Sequence, residues 1–271
     1  MTRLVAVLLA VWLASCTSAP ITTSGGVPID TSRSARAQDS RVLFLILHYT
    51  VADLPLSLKV LTEDEVSAHY LVSDETPPRI FRLVDEGRRA WHAGASAWKG
   101  HRLLNASSIG IEIVHPGVTL GPDQERIHPP FPEAQLQALI PLVRDIVERH
   151  RIRPDRILGH GEVAPSTKED PGPTFPWRRL AELGITPPWP EASRVAAQRE
   201  RFEALLPDIA WFQRTLAQHG YAIEASGQLD GQTQRVLRNF QMRYRPDRFD
   251  GLPDAETAAL LHMLTNPVQL P

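Results

Sequence analysis

Residues 42–48 read VLFLILH and residues 107–114 read SSIGIEIV, and these two stretches decide the fold. The first is a continuous apolar run of strand length, suited to a central strand covered on both faces. It ends at His48. The second alternates, with Ile109, Ile111 and Ile113 on one face and Gly110, Glu112 and Val114 on the other. Further short strands are expected near residues 70–72 and 80–84. Leu136, Leu139, Ile140, Val143 and Val147 recur at helical spacing, which predicts a helix over 132–150. Strands interleaved with helices make an α/β domain.

A break falls at ITPPWPEAS, residues 185–193, and the composition beyond it is helical. Residues 195–219 have helical spacing interrupted by Pro207. A turn at Gly227 to Gly231 leads to a helix with Val236, Leu237 and Phe240. Pro253-Asp254 opens another with Ala258, Leu261 and Leu264. Three short helices in this space make a small bundle near the lower size limit of an independent domain.

The chain starts MTRLVAVLLAVWLASC. Arg3 followed by an apolar run and small residues before the single cysteine, Cys16, has the form of an export signal. The run is shorter than the ~20 residues a membrane span needs. LASC resembles the lipobox of bacterial lipoproteins. That likeness implies a signal peptide over 1–15 and acylation of Cys16. In Gram-negative lipoproteins Asp after the cysteine favours the inner membrane. Thr17 therefore points to an outer-membrane anchor facing the periplasm. Residues 16–40, rich in Ser, Thr, Gly and Pro, read as a lipidated cysteine and flexible tether. A net charge of -2 offers no global attraction to nucleic acid, and no nucleic-acid partner is expected.

His48, His160 and Asp170 are candidates for an open metal site. His48 lies where the buried strand emerges, His160 follows the short strand RILG, and Asp170 sits in a Pro- and Gly-rich loop. Two imidazoles and a carboxylate leave a fourth tetrahedral position for water, as catalytic zinc requires, and zinc would bring that water's pKa toward ~7. Spacing alone is weak, because the chain has ten histidines. Glu112 is the one charge in an apolar strand, and a carboxylate there needs a partner.

LHYT (47–50), AHYLV (68–72), AWHAG (90–94), SSIGIEIV (107–114) and GHGEVAPSTKEDPGPTFPW (159–177) occur in this order. Together they resemble the type 2 N-acetylmuramoyl-L-alanine amidase family, in its envelope lipoprotein branch, over about residues 41–190. The family shares a fold with peptidoglycan recognition proteins, a mixed central sheet flanked by helices. The resemblance implies one Zn2+ on His48, His160 and Asp170, a catalytic Glu112 and an active-site Lys168. Where relatives often read His-Ser-Asp, this chain has His160-Gly161-Glu162. His69, Tyr70, Trp91 and His92 fit a groove, a layer behind the ligands or the core, and their roles stay open. WFQRTLAQHGYAI, GQLDGQTQRVLRNFQMRY and DGLPDAETAALL resemble the three-helix peptidoglycan-binding module of wall hydrolases. The region 191–271 is read as that module, either binding wall or buttressing the catalytic domain.

The expected function is zinc-dependent hydrolysis of the bond between N-acetylmuramic acid, ordinary or anhydro, and L-alanine. Its partners would be peptidoglycan, muropeptides and, through Cys16, a membrane, and a monomer is expected. The alternative is a non-catalytic recognition protein on the same fold. Such relatives typically lose a zinc ligand, whereas all three are kept here. A zinc peptidase of the commonest kind is disfavoured, since HExxH is absent.

Overall fold

The computed structural model describes residues 21–266; the expected signal peptide over 1–15 and Cys16 lie outside them. Residues 21–39 belong to a unit separate from the rest, exposed throughout, with one isolated bridge between Thr22 and Pro28. From Ser40 onward the chain forms a second unit. No helix among the described residues is long and apolar enough to cross a membrane.

In chain order the elements are β1 (Phe44–Tyr49), α1 (Leu54–Glu63), β2 (Tyr70–Val72) and β3 (Ile80–Arg82), then a ribbon of β4 (Ala97–Trp98) and β5 (His101–Arg102). Next come β6 (Ser108–Ile113), a ribbon of β7 (Thr119–Leu120) and β8 (Arg126–Ile127), α2 (Glu133–His150), β9 (Ile157–Gly159), α3 (His160–Val163) and α4 (Trp177–Glu182). The chain continues with α5 (Ala192–Ala204), α6 (Ile209–His219), α7 (Gly231–Tyr244) and α8 (Ala255–Thr265).

The central sheet has the order β3-β2-β6-β1-β9. All its pairings are parallel except β2 with β3. The expected α/β class with a mixed sheet and flanking helices is what the chain adopts. Helix α1 was not foreseen. Asp53 caps it by accepting from the Leu56 N–H at 3.0 Å, and its apolar side packs on Leu71 and Val114. Pro207 separates α5 from α6, so the expected three-helix module corresponds to α6, α7 and α8, with α5 ahead of it.

The two faces of the sheet are covered by different parts of the chain. Leu45, Leu47, Ile109, Ile111 and Ile113 pack against Leu136, Leu139, Ile140, Val143 and Ile146 of α2. Ile146, rather than the expected Val147, is the fully buried residue of its turn. On the other face Phe44, Ile46 and Leu158 enter one buried cluster with Phe212 and Leu216 of α6, Val236, Leu237 and Phe240 of α7, and Leu261 of α8. Burying each such side chain is worth about 1.5–3 kcal/mol. The C-terminal helices and the sheet therefore share a core.

Candidate active site

Strand β1 lies between β6 and β9, and this register builds the site. His48 pairs across to Glu112, and Leu47 pairs with Gly159, the residue before His160. In-register residues on parallel strands project to the same face. His48, Glu112 and His160 therefore emerge side by side at the carboxyl ends of three strands, where open α/β sheets place their ligands. Asp170 returns to this edge because the Gly161 N–H donates to the Asp170 carbonyl at 2.8 Å.

The three candidate ligands converge. Nδ1 of His48 is 3.0 Å from Nδ1 of His160 and 3.2 Å from Oδ2 of Asp170, and His160 Nδ1 is 3.3 Å from the same oxygen. All three side chains are buried. A tetrahedral zinc with bonds of about 2.0–2.1 Å places its ligand atoms about 3.3 Å apart. The donor triangle fits that size, and its two-nitrogen, one-carboxylate chemistry fits zinc.

Glu112 Oε1 stands 3.9 Å from His48 Nδ1, while its Oε2 is buried with no hydrogen-bond partner. A buried carboxylate oxygen left unpaired points to a ligand or ion that completes it. Among the protein groups, burial pushes the Glu112 carboxyl up to about 8, with the Asp170 charge adding and Lys168 opposing. Burial raises Asp170 too, but His160 and His48 outweigh it and hold that carboxyl well below the ordinary range. Burial, with the charge of His160, pushes His48 down to about 4. His48 is thus favoured as a neutral imidazole beside the Asp170 carboxylate, the state metal binding requires of both.

Glu112, His160 and Asp170 line a cleft of ≈ 670 Å³ with Tyr49, Trp91, His92 and Lys168 around them. Lys168 is exposed on its rim. Trp91 is also exposed, with the Arg89 guanidinium 4.0 Å from its ring centre. Tyr70 turns away and donates to Glu86 at 2.6 Å. His69 is fully buried, with Nδ1 accepting from the Gly110 N–H and Nε2 beside the Arg88 carbonyl.

With this geometry in view, comparison with known proteins is decisive. The profile of the N-acetylmuramoyl-L-alanine amidase family matches residues 38–173, and that of a peptidoglycan binding domain matches 206–261. The chain belongs to the N-acetylmuramoyl-L-alanine amidase family. Within the family it is 42% identical to N-acetylmuramoyl-L-alanine amidase AmiD of Escherichia coli K12 over 245 residues, 88% of each chain. A solved structure of the E. coli AmiD amidase, in complex with the substrate anhydro-N-acetylmuramic acid-L-Ala-D-gamma-Glu-L-Lys, superposes with a TM-score of 0.77 at 40% identity, covering 90% of this chain and 96% of that one. AmpDh3 of Pseudomonas aeruginosa, solved with anhydromuramic pentapeptide, superposes at 0.78 with 38% identity, covering 86% and 96%.

The sequence does not disclose how the C-terminal helices support this amidase site. Asn239 Nδ2 of α7 donates to the Lys168 carbonyl at 3.3 Å, and Arg238 Nε donates to Glu169 at 3.1 Å. Gly161 leaves room for the Asn239 side chain in this position, since a Cβ there would lie 2.0 Å from Asn239 Oδ1. Glu162, the departure from His-Ser-Asp, is buried and faces Arg243 of α7. Glu162 lies between buried Gly161 and Val163, so its carboxylate needs a partner.

Proposed function

We propose that this chain is a zinc amidase that cleaves the bond joining the lactyl group of N-acetylmuramic acid to L-alanine, in peptidoglycan and in muropeptides released from it. The observation that carries the reading is the complete donor triangle of His48, His160 and Asp170 with Glu112 in register beside it. The substrates bound to the two relatives support acceptance of the anhydro sugar as well.

Zinc on His48 Nδ1, His160 Nδ1 and Asp170 Oδ2 would supply hydroxide at neutral pH and polarise the scissile carbonyl. Glu112 takes the proton of the attacking water and passes it to the departing amine of L-alanine. Glu112 would be favoured as a carboxylate by a divalent cation held on His48, His160 and Asp170, which would oppose the effect of burial. Lys168, on the rim, brings a positive charge to the oxyanion of the tetrahedral intermediate. Tyr49 and Trp91 give the cleft apolar walls on which a sugar and peptide can lie.

Residues 41–190 would form the catalytic domain, and 191–271 a helical domain that buttresses it and adds an attachment to the wall. Acylation at Cys16 would hold the enzyme, as a monomer, on the outer membrane facing the periplasm, with residues 17–40 as tether. Mass spectrometry of muropeptides treated with the purified soluble form tests the central reading. Free stem peptide and peptide-free saccharide are expected as products. Cleavage within the stem peptide or between sugars, with the lactyl-alanine bond intact, would overturn it.

A further inference from the structure

A chain of buried hydrogen bonds runs backwards from the metal site. His48 Nε2 lies 3.0 Å from His92 Nδ1, His92 Nε2 lies 3.1 Å from Ser108 Oγ, and Ser108 Oγ lies 2.7 Å from the Leu104 carbonyl. His48, His92, Ser108 and Leu104 are all buried. The direction of the chain follows from its far end. A carbonyl only accepts, so the Ser108 hydroxyl spends its one proton on Leu104. Ser108 Oγ must then accept from His92, which puts the His92 proton on Nε2. A neutral imidazole protonated at Nε2 has a bare Nδ1, so His92 can only accept from His48. His48 must therefore carry its proton on Nε2, and its Nδ1 is left bare. That is the atom aimed at His160 and Asp170.

We infer that His92 is a positioning residue that fixes His48 in the tautomer and ring orientation able to ligate the metal, with Ser108 and the Leu104 carbonyl setting the direction. Three features hold His92 for this. Its ring meets that of His48 edge-on, with centres 5.1 Å apart. Asn105 Oδ1 accepts from the backbone N–H groups of His92 and Ala93 at 3.1 and 2.7 Å. Gly110 leaves the space the ring occupies, since a Cβ there would stand 2.4 Å from His92 Cγ. The histidine of AWHAG and the serine and glycine of SSIGIEIV thus belong to one device. Ligating histidines commonly depend on such partners for their second nitrogen, and loss of the partner costs roughly 10–100-fold in metal affinity.

The inference rests on the metal reading above, and the test separates the two. Zinc affinity of the purified chain is measured by competition with a chromophoric chelator for wild type, His92→Phe, His92→Asn and Ser108→Ala, with thermal unfolding alongside. Wild type should bind one zinc. His92→Phe removes the acceptor and should weaken zinc roughly 10–100-fold. His92→Asn returns an acceptor oxygen near the Nδ1 position and should recover most of that loss, even where both variants lower Tm equally. Nitrogen-15 imidazole spectra of the metal-free wild type read the tautomers directly and need no variant to fold. Protons on Nε2 of both His48 and His92 are expected. A proton on His48 Nδ1, or equal zinc affinity in folded His92→Phe and wild type, would overturn the inference and leave the metal reading standing. Failure of wild type to bind zinc would instead remove the metal reading itself.

Discussion

Arg243 of α7 and Glu162 of α3 form an ion pair of 2.5 Å, with both side chains only 5% exposed. Glu162 also accepts from the Gly159 N–H at 2.8 Å, so the pair bears on the backbone immediately before His160. Arg243 further donates to the Ile157 carbonyl at 3.2 Å and lies 4.0 Å from the ring centre of Trp177. Removing one partner of a buried pair leaves an uncompensated charge, which costs about 3–5 kcal/mol. Arg243→Met should lower unfolding free energy by that order in denaturant titration, and adding Glu162→Gln should recover a large part of it. Deleting residues 193–271 goes further, uncovering Phe44, Ile46 and Leu158. Activity on small soluble muropeptides should then be lost together with activity on sacculi. A truncated chain with full soluble activity would refute the buttress.

Glu112→Gln separates chemistry from metal binding. The variant keeps the side-chain volume but cannot take a proton. It should retain zinc while kcat falls roughly 10²-fold or more, the usual contribution of a positioned base. His160→Ala should lose the metal instead. Steady-state kinetics beside metal analysis distinguishes the two, and near-normal turnover in Glu112→Gln would place the base elsewhere.

Glu86 supplies a pH-dependent brace away from the metal. Its carboxylate receives Arg149 at 2.5 and 2.8 Å and Tyr70 at 2.6 Å, with His150 Nε2 at 2.8 Å. The Arg149 hydrogen bonds, against burial and with help from Tyr70 and His150, hold its pKa far below the ordinary 4.5. A depressed carboxyl stabilises the fold above its unfolded value and loses that contribution as pH falls below 4.5. Wild type should thus exceed Glu86→Gln in stability at pH 6–7, and the difference should shrink below about 4.5. A difference constant from pH 6 to pH 3 would contradict this account.

Acylation of Cys16 would decide location rather than chemistry. Cys16→Ser should shift the protein from the membrane fraction to the soluble fraction while leaving cleavage of soluble muropeptides unchanged. Unaltered fractionation would exclude the lipid anchor.

Much of this was legible because the informative patterns are local. The apolar run into His48 and the alternation around Glu112 fix strand faces, and strand faces fix which side chains reach the sheet edge. The five ordered motifs bring the loop with Asp170 to the same place. Other features depend on contacts distant in sequence. Arg243 resembles any helix-surface arginine until α7 packs on α3. His92 is one of ten histidines until the fold sets it behind His48. Helix α1 is announced in the sequence only by Asp53 ahead of Pro55, an N-cap pattern that is weak without its packing on Leu71 and Val114.

Metal dependence tests the account most directly. The purified soluble form should carry about one zinc per chain, as three protein ligands with one open position imply. Chelation should abolish release of stem peptide from anhydro-muropeptide, and one equivalent of zinc should restore it. Full amide cleavage by rigorously metal-free protein would contradict the account.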